Sequence, residues 1–414
     1  MLSSAVVALK GKRNKADRNM ESSLSGSVEN EKVWKELQTE WTLREGVIYL
    51  NHGSFGPPPR RVQKARDDWS HQLDSQPMDF FWRKFEPALL EARSQLAKFV
   101  GTTAPNLVCV DNATYGMNVV AQSSQLSAED EVLLTDHEYG AVRRVWERSC
   151  RRAGAPPPKV ATLPFPVDSQ EQVIESIFSQ VTDRTRLLIV SHITSPTAMT
   201  LPVATICQRA RKIGLATCID GPHAVAQLPL DIDSLDCDFY TASCHKWLSA
   251  PFGSGFLYVH PRQHAAIEPV VLSWGRLGDM PRKSWVDDFN WIGSRDPSPF
   301  LAIPAAIQFL QEVGCEAFRA RTHYLATYAR ERLVELSGQQ PTLPAGPEWY
   351  GSMTHVPLKT KDPLALQTAL WEQHGIEVPI FGFEGRNFIR VSCHLYNDRE
   401  QIDRLVVALG KLLS

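Results

Sequence analysis

Between residues 107 and 259 the chain alternates compact apolar runs with stretches in which apolar positions recur every three or four residues. The runs 107–110, 131–134, 159–163 and 186–190 have the length and branched side chains of buried strands. Helical spacing follows from about Tyr115, from about Ala141 and over 170–178. Further β-prone runs end at Asp220 and Ala242, and another spans 256–259. Such alternation predicts the α/β class, with a mainly parallel sheet covered by helices on both faces.

The flanks read differently. Residues 47–50 predict a short strand that leads into Asn51-His52-Gly53-Ser54-Phe55-Gly56-Pro57-Pro58-Pro59, a stretch whose glycines and prolines exclude regular structure. From Arg60 to about Val100 the spacing is helical, with a break at Pro77; Phe81, Phe85, Leu89, Ala92 and Leu96 mark a core or dimer face. Beyond about Leu301 come helical stretches over 302–336, interrupted at Gly314, then a strand at 353–358. A helix at 363–373, a strand at 387–391 and a last helix from Arg399 complete a smaller α+β unit. The Pro- and Gly-rich 339–350 predicts a surface loop. Residues 1–30, first basic and then rich in Ser, Asn and Glu, predict a disordered tail, and Met20 is an alternative start. The expected domains are therefore 1–30, a segment 31–59, a large domain 60–300 and a small domain 301–414.

Composition narrows the function classes. A formal net charge of -2 over 414 residues provides no electrostatic reason for a nucleic-acid or anionic-membrane partner. The eight cysteines show no Cys-x-x-Cys pair and no zinc spacing, so reduced, mostly buried thiols and no metal are expected. No apolar run reaches the roughly 18 residues that span a bilayer, and the first residues lack the charged start of a signal peptide. The expectation is a cytoplasmic protein. A dinucleotide-binding enzyme would carry G-x-G-x-x-G between strand and helix; here Gly253-Ser254-Gly255 runs into a β-like segment instead.

Two places carry candidate chemistry. Lys246, in Ser243-Cys244-His245-Lys246-Trp247, sits between two expected strands, where an unpaired ammonium is costly and a Schiff base with a carbonyl cofactor would be accommodated. A surface lysine on a corner is the plain alternative. Asp220, before Gly221-Pro222-His223, would stand at the C-terminal end of a parallel strand, on the side where such sheets bind ligands, and could serve a pyridinium nitrogen. A turn-starting aspartate is the plain alternative there. Asn112-Ala113-Thr114, where strand yields to helix, would offer an anion its N–H groups and the Thr114 hydroxyl, although a simple N-cap uses the same geometry.

Together these motifs resemble the class V aminotransferase-type pyridoxal phosphate (PLP) enzymes of fold type I, and among them the isopenicillin N epimerase-like branch. The resemblance runs from Leu50-Asn51-His52-Gly53-Ser54-Phe55-Gly56 through Asn112-Ala113-Thr114, Asp136-His137-Glu138-Tyr139-Gly140 and Lys246 to Arg390-Val391-Ser392-Cys393-His394-Leu395-Tyr396-Asn397. It implies pyridoxal 5′-phosphate bound covalently at Lys246, with Asp220 on the ring nitrogen. It also implies phosphate contacts from Thr114, Ser243 and His245, and ring stacking by Tyr139. Ser195 and His223 would lie near the phenolic oxygen, while Arg390, with His52 and Ser54, would hold an amino-acid substrate. Gly293 and Ser294 would reach the phosphate of a neighbouring subunit, so a homodimer is expected. Relatives that are cysteine desulfurases carry histidine where Tyr139 stands and a loop cysteine before the arginine; 376–389 has none. The implied reaction is Cα-carbanion formation leading to epimerisation, with C–S lysis or transamination as alternatives. A non-catalytic ligand-binding protein of the same fold is a further one.

Overall fold

A computed structural model describes residues 28–275 and 283–413. The expected tail lies outside these residues up to 27, but its last three positions already belong to the fold. The Val28 carbonyl accepts from the Arg321 guanidinium at 2.7 Å, and Asn30 caps the helix Glu31–Gln38.

In chain order the first strands are β1 (Ile48–Tyr49), β2 (Leu107–Val110), β3 (Glu131–Thr135) and β4 (Lys159–Ala161). They are followed by β5 (Thr185–Ser191), β6 (Ala216–Asp220), β7 (Phe239–Ser243) and β8 (Gly255–Val259). Seven of them form one sheet in the order β2-β8-β7-β6-β5-β3-β4. The pairs from β7 through to β4 are parallel, and only β8 runs against its neighbours. This is the α/β architecture expected. Strand β5 shows why the runs are apolar throughout instead of alternating. Leu188 and Val190 pack into one core with Ile206 and Ala210, while Leu187 and Ile189 enter a second core with Val142 and Trp146. A strand covered on both faces has no polar side to present, and each such side chain contributes about 1.5–3 kcal/mol of burial.

The 60–100 region resolves into helices Arg60–Ser75 and Phe85–Phe99 with a π-helical turn, Phe80–Lys84, just after Pro77. Phe80, Phe85 and Leu89 are core residues, packed with Phe300 and Leu301.

C-terminal to Leu301, helices Ile303–Val313 and Cys315–Ser337 precede β9 (Met353–Leu358), β10 (Ile376–Glu377), β11 (Ile380–Phe383) and β12 (Arg386–Ser392). The antiparallel order β11-β12-β9 makes a second sheet, and its core joins Val356, Ile389 and Val391 to Leu325 and Leu333 of one helix and Leu405 and Leu409 of the last, Arg399–Leu413. The short β10 pairs in parallel with β1, so the N-terminal strand is stitched to this C-terminal unit. The segment 339–350 departs from expectation. It is irregular, but Thr342, Leu343, Trp349 and Tyr350 are buried. Prolines and glycines forbid a regular backbone, not a covered one, and the Arg330 guanidinium supplies donors to the carbonyls of Leu343 and Pro344.

Candidate active site

Parallel pairing brings the C-terminal ends of β6 and β7 to one edge, with Asp220 opposite Thr241. The chain leaves Asp220 across the face of Tyr240; a Cβ on Gly221 would lie 2.1 Å from that ring, so only glycine fits. Beyond β7 the chain turns, with the Cys244 N–H donating to the Ser254 carbonyl and the Ser249 N–H to the Lys246 carbonyl. Lys246 stands on this turn. Its Nζ lies 3.0 Å from His223 Nε2, and the indole N–H of Trp247 donates to His223 Nδ1 at 3.3 Å. Burial pushes Asp220 up, and the neighbouring Glu138 adds to it, whereas Lys246 opposes. Burial pushes Lys246 down, with Asp220 opposing and Arg390 reinforcing. The pair therefore favours a neutral amine beside a carboxyl group ready to hold a proton.

The loop from Asn51 to Gly56 backs onto the Lys246 turn. His52 is fully buried; its Nε2 lies 2.9 Å from the Lys246 carbonyl and its Nδ1 2.8 Å from the Tyr396 hydroxyl. Since a carbonyl only accepts, Nε2 donates and Tyr396 donates to Nδ1. The ring also stacks on His394 at 3.9 Å. One nitrogen of His52 is thus engaged with the lysine's main chain and the other with Tyr396, so the position expected to touch substrate is occupied on both nitrogens by the protein itself. Gly56 closes in as well, where a Cβ would stand 2.4 Å from the His245 carbonyl and 2.6 Å from that of Lys246.

Opposite the lysine, β12 delivers Arg390. Its Nη1 donates to the Ser195 carbonyl at 2.6 Å and reaches the Ser195 hydroxyl at 3.3 Å; its Nη2 donates to Ser54 Oγ at 2.9 Å and to Asn51 Oδ1 at 3.3 Å. Its buried Nε has no hydrogen-bond partner among the described residues. Burial lowers this guanidinium to about 10, still charged at neutral pH. Ser54 and Ser195, expected near substrate and cofactor, are both gathered around Arg390. Ser195 and Arg390 open on a cleft of about 570 Å³ rimmed by Tyr139, Arg143, Phe381 and Phe383. Tyr139 is 52% exposed there, free to lie against a ring.

At the other end Asn112 caps the helix Ala113–Ser123, its side chain accepting from the Tyr115 N–H, while the Ala113 N–H donates to Ser243 Oγ at 3.0 Å. Thr114 is exposed beside them. His245 is partly buried, with its Nδ1 lacking a partner among the described residues, and burial lowers it to about 4, Lys246 adding to the effect. A helix start, a threonine hydroxyl and an orphaned imidazole nitrogen fit a phosphate dianion. Gly293 and Ser294 are not joined by hydrogen bonds to Thr114, Ser243 or His245 of the same chain among the described residues. The next residue, Arg295, pairs instead with Asp111 at 2.6 Å.

Sequence reasoning passed over Glu138, Trp247 and Tyr396. Glu138 is 4% exposed and accepts from Thr135 Oγ1, the Ser191 N–H and Ser191 Oγ. Ser191 is the residue in register with Asp220, which puts a second carboxylate behind the first. The motif around Tyr139 contained Glu138, but nothing local in the sequence links it to β6. Among the described residues no group of His, Cys, Asp and Glu could hold a metal, and no helix is long and apolar enough to cross a membrane.

The family model for Aminotransferase class-V matches residues 48–405. An isopenicillin N epimerase of Amycolatopsis lactamdurans is 37% identical over 398 residues, covering 92% of this chain and 98% of that protein. A putative L-cysteine desulfhydrase 1 of Oryza sativa subsp. japonica is 30% identical over 423 residues, covering 92% and 86%. In fold the chain is similar to the cystine C-S lyase C-DES, solved with its product cysteine persulfide. The TM-score is 0.76 at 22% identity, over 88% of this chain and 98% of that one.

Proposed function

The chain belongs to the class-V aminotransferase family, which uses pyridoxal 5′-phosphate, and we propose that it labilises the Cα–H bond of a small amino-acid substrate and epimerises it. The observation that carries this reading is the Lys246 amine, 3.0 Å from His223 at the strand edge that Asp220 shares, with Arg390 reaching in from the second sheet. When bound, the cofactor supplies an aldehyde for an amine and a ring into which electrons from a broken Cα–H bond can spread. Lys246 would hold the aldehyde, and once displaced by substrate its free amine would take the α-proton. Asp220 would hold a proton on the ring nitrogen, Thr114, Ser243 and His245 would hold the phosphate, and Tyr139 would cover the ring. Arg390 would trade its present partners for the substrate carboxylate, an exchange of like hydrogen bonds that favours a bidentate acid.

A C–S lyase is the second reading, favoured by the likeness to the plant desulfhydrase. It needs no nucleophilic thiol, and none stands ready after the arginine: Cys393 is fully buried and burial raises it to about 12. Transamination is a third fate of the same carbanion. The shared site expected at Gly293 and Ser294 is likewise part of this proposal, with a second copy of the chain as the partner.

Borohydride reduction followed by peptide mapping should leave the pyridoxyl group on Lys246; its recovery on another lysine, or its absence, overturns the reading. Amino acids and β-substituted cysteines incubated in deuterium oxide then separate the reactions. Epimerisation yields the deuterated enantiomer, and lysis yields pyruvate.

A further inference from the structure

Trp247 follows the lysine in sequence, is 1% exposed and points its indole N–H at His223 Nδ1. An indole nitrogen donates and never accepts, so Nδ1 must present its lone pair. His223 itself is 3% exposed. A cationic His223, or the neutral tautomer with hydrogen on Nδ1, would set two N–H groups against each other inside the protein and strand the indole donor. Only the neutral tautomer with hydrogen on Nε2 satisfies both rings. That hydrogen points at Lys246 Nζ, 3.0 Å away. An ammonium has three donors and no acceptor, so it cannot answer an N–H at that distance; a free amine can, through its lone pair.

We infer that Trp247 is a positioning residue which, by fixing the tautomer of His223, holds the Lys246 side chain as the free amine. The inference deepens the proposed function, resting on the reading of Lys246 as the group that captures an aldehyde and removes a proton, since both acts require the unprotonated form. It also bears on turnover. A lysine that has just taken the α-proton becomes an ammonium facing the His223 N–H, and so is poorly accommodated and disposed to give that proton up, to the departing β-substituent in a lyase or to water in an epimerase. For an epimerase or a lyase a base that does not keep its proton is the useful kind.

Other groups act on the same amine. Asp220 favours its charged form, Arg390 disfavours it, and His245 and His52 stand close to His223. None of these changes when the indole alone is altered, so the comparison of variants isolates the contribution of Trp247. Trp247→Phe keeps an aromatic ring against His52 and His394 and removes the N–H together with the indole's second ring.

The first measurement is the side-chain 15N spectrum of histidine-labelled, cofactor-free full-length protein, with the His223 signals identified by their loss in His223→Gln. The native chain should show hydrogen on Nε2 and a bare Nδ1, and Trp247→Phe should show a mixture of tautomers. The second is the pH dependence of PLP capture on Lys246, read by absorbance. In Trp247→Phe the midpoint should rise by about one unit, so that at a pH below both midpoints capture is about tenfold less. In a His223→Gln background the same change should add no shift, because an amide has no tautomer to choose. Hydrogen on Nδ1 in the native protein overturns the inference, as does an unaltered tautomer and midpoint in Trp247→Phe, or an equal shift in the His223→Gln background. Failure of every variant to capture PLP at Lys246 would refute the cofactor reading, and the tautomer would still be decided by the nitrogen spectrum.

Discussion

The lysine side and the arginine side of the candidate site are built by different means. On the lysine side, positions follow from strand register and tight main-chain approach: Asp220 sits opposite Thr241, Gly221 lies on Tyr240, and Gly56 lies on the carbonyl of Lys246. On the arginine side, Arg390 is placed by hydrogen bonds from its own side chain to a serine on one loop and an asparagine and serine on another. Main-chain contacts of the first kind cannot be exchanged for a ligand. Side-chain hydrogen bonds of the second kind can, since a carboxylate offers a guanidinium better acceptors than those it now holds. The molecule therefore has a fixed half suited to a resident cofactor and an exchangeable half suited to a substrate that comes and goes.

The largest effect is expected at Asp220. Asp220→Asn should leave PLP attached at Lys246 while Cα-deuterium exchange slows about a hundredfold, equivalent to about 2.7 kcal/mol of transition-state stabilisation. An unchanged rate would reduce Asp220 to a turn residue. Arg390→Lys tests the other half. Loss of the planar fork should raise KM about tenfold with kcat and PLP affinity little altered; a fall in PLP affinity would merge the two halves into one. The smallest effect concerns the phosphate end. If Gly293 and Ser294 complete a partner's site, PLP should tighten the dimer several-fold in sedimentation experiments, because a ligand bound across an interface stabilises it. A fully loaded, active monomer would remove that shared contact and leave the Lys246 chemistry in place.

Much of the fixed half could be read from the sequence, and the reason is local. Strands such as 107–110 and 186–190 and the helix 170–178 announce themselves through apolar runs and period, and Asp220 and Lys246 through their position at strand ends. The exchangeable half was legible only as separate residues. Ser54 and Arg390 are 336 positions apart, and Ser195 and Arg390 are 195 apart. No window of sequence contains such a pair. The strands β10 and β11 were missed for a related reason: each is a few residues long, interrupted at Val378-Pro379, and exists because β1 and β12 offer it partners. The covering of the main chain at Leu343 and Pro344 rests on Arg330, whose donors a Pro/Gly pattern cannot reveal.

The stitching of the N-terminal strand to the C-terminal unit has a consequence for how the protein is made. Ile48 pairs with Ile376, Asn51 bridges to Ser392, and His52 meets Tyr396 across 344 positions. On the ribosome, the strands carrying Asp220 and Lys246 emerge long before the segment that completes the loop behind them. Until residues near 396 have left the exit tunnel, the loop from Asn51 to Gly56 has no C-terminal partner to hold it against the lysine turn. The site is thus finished only once the segment around Tyr396 has emerged, and a nascent chain stalled before the last strand would carry its lysine without the clasp that fixes it.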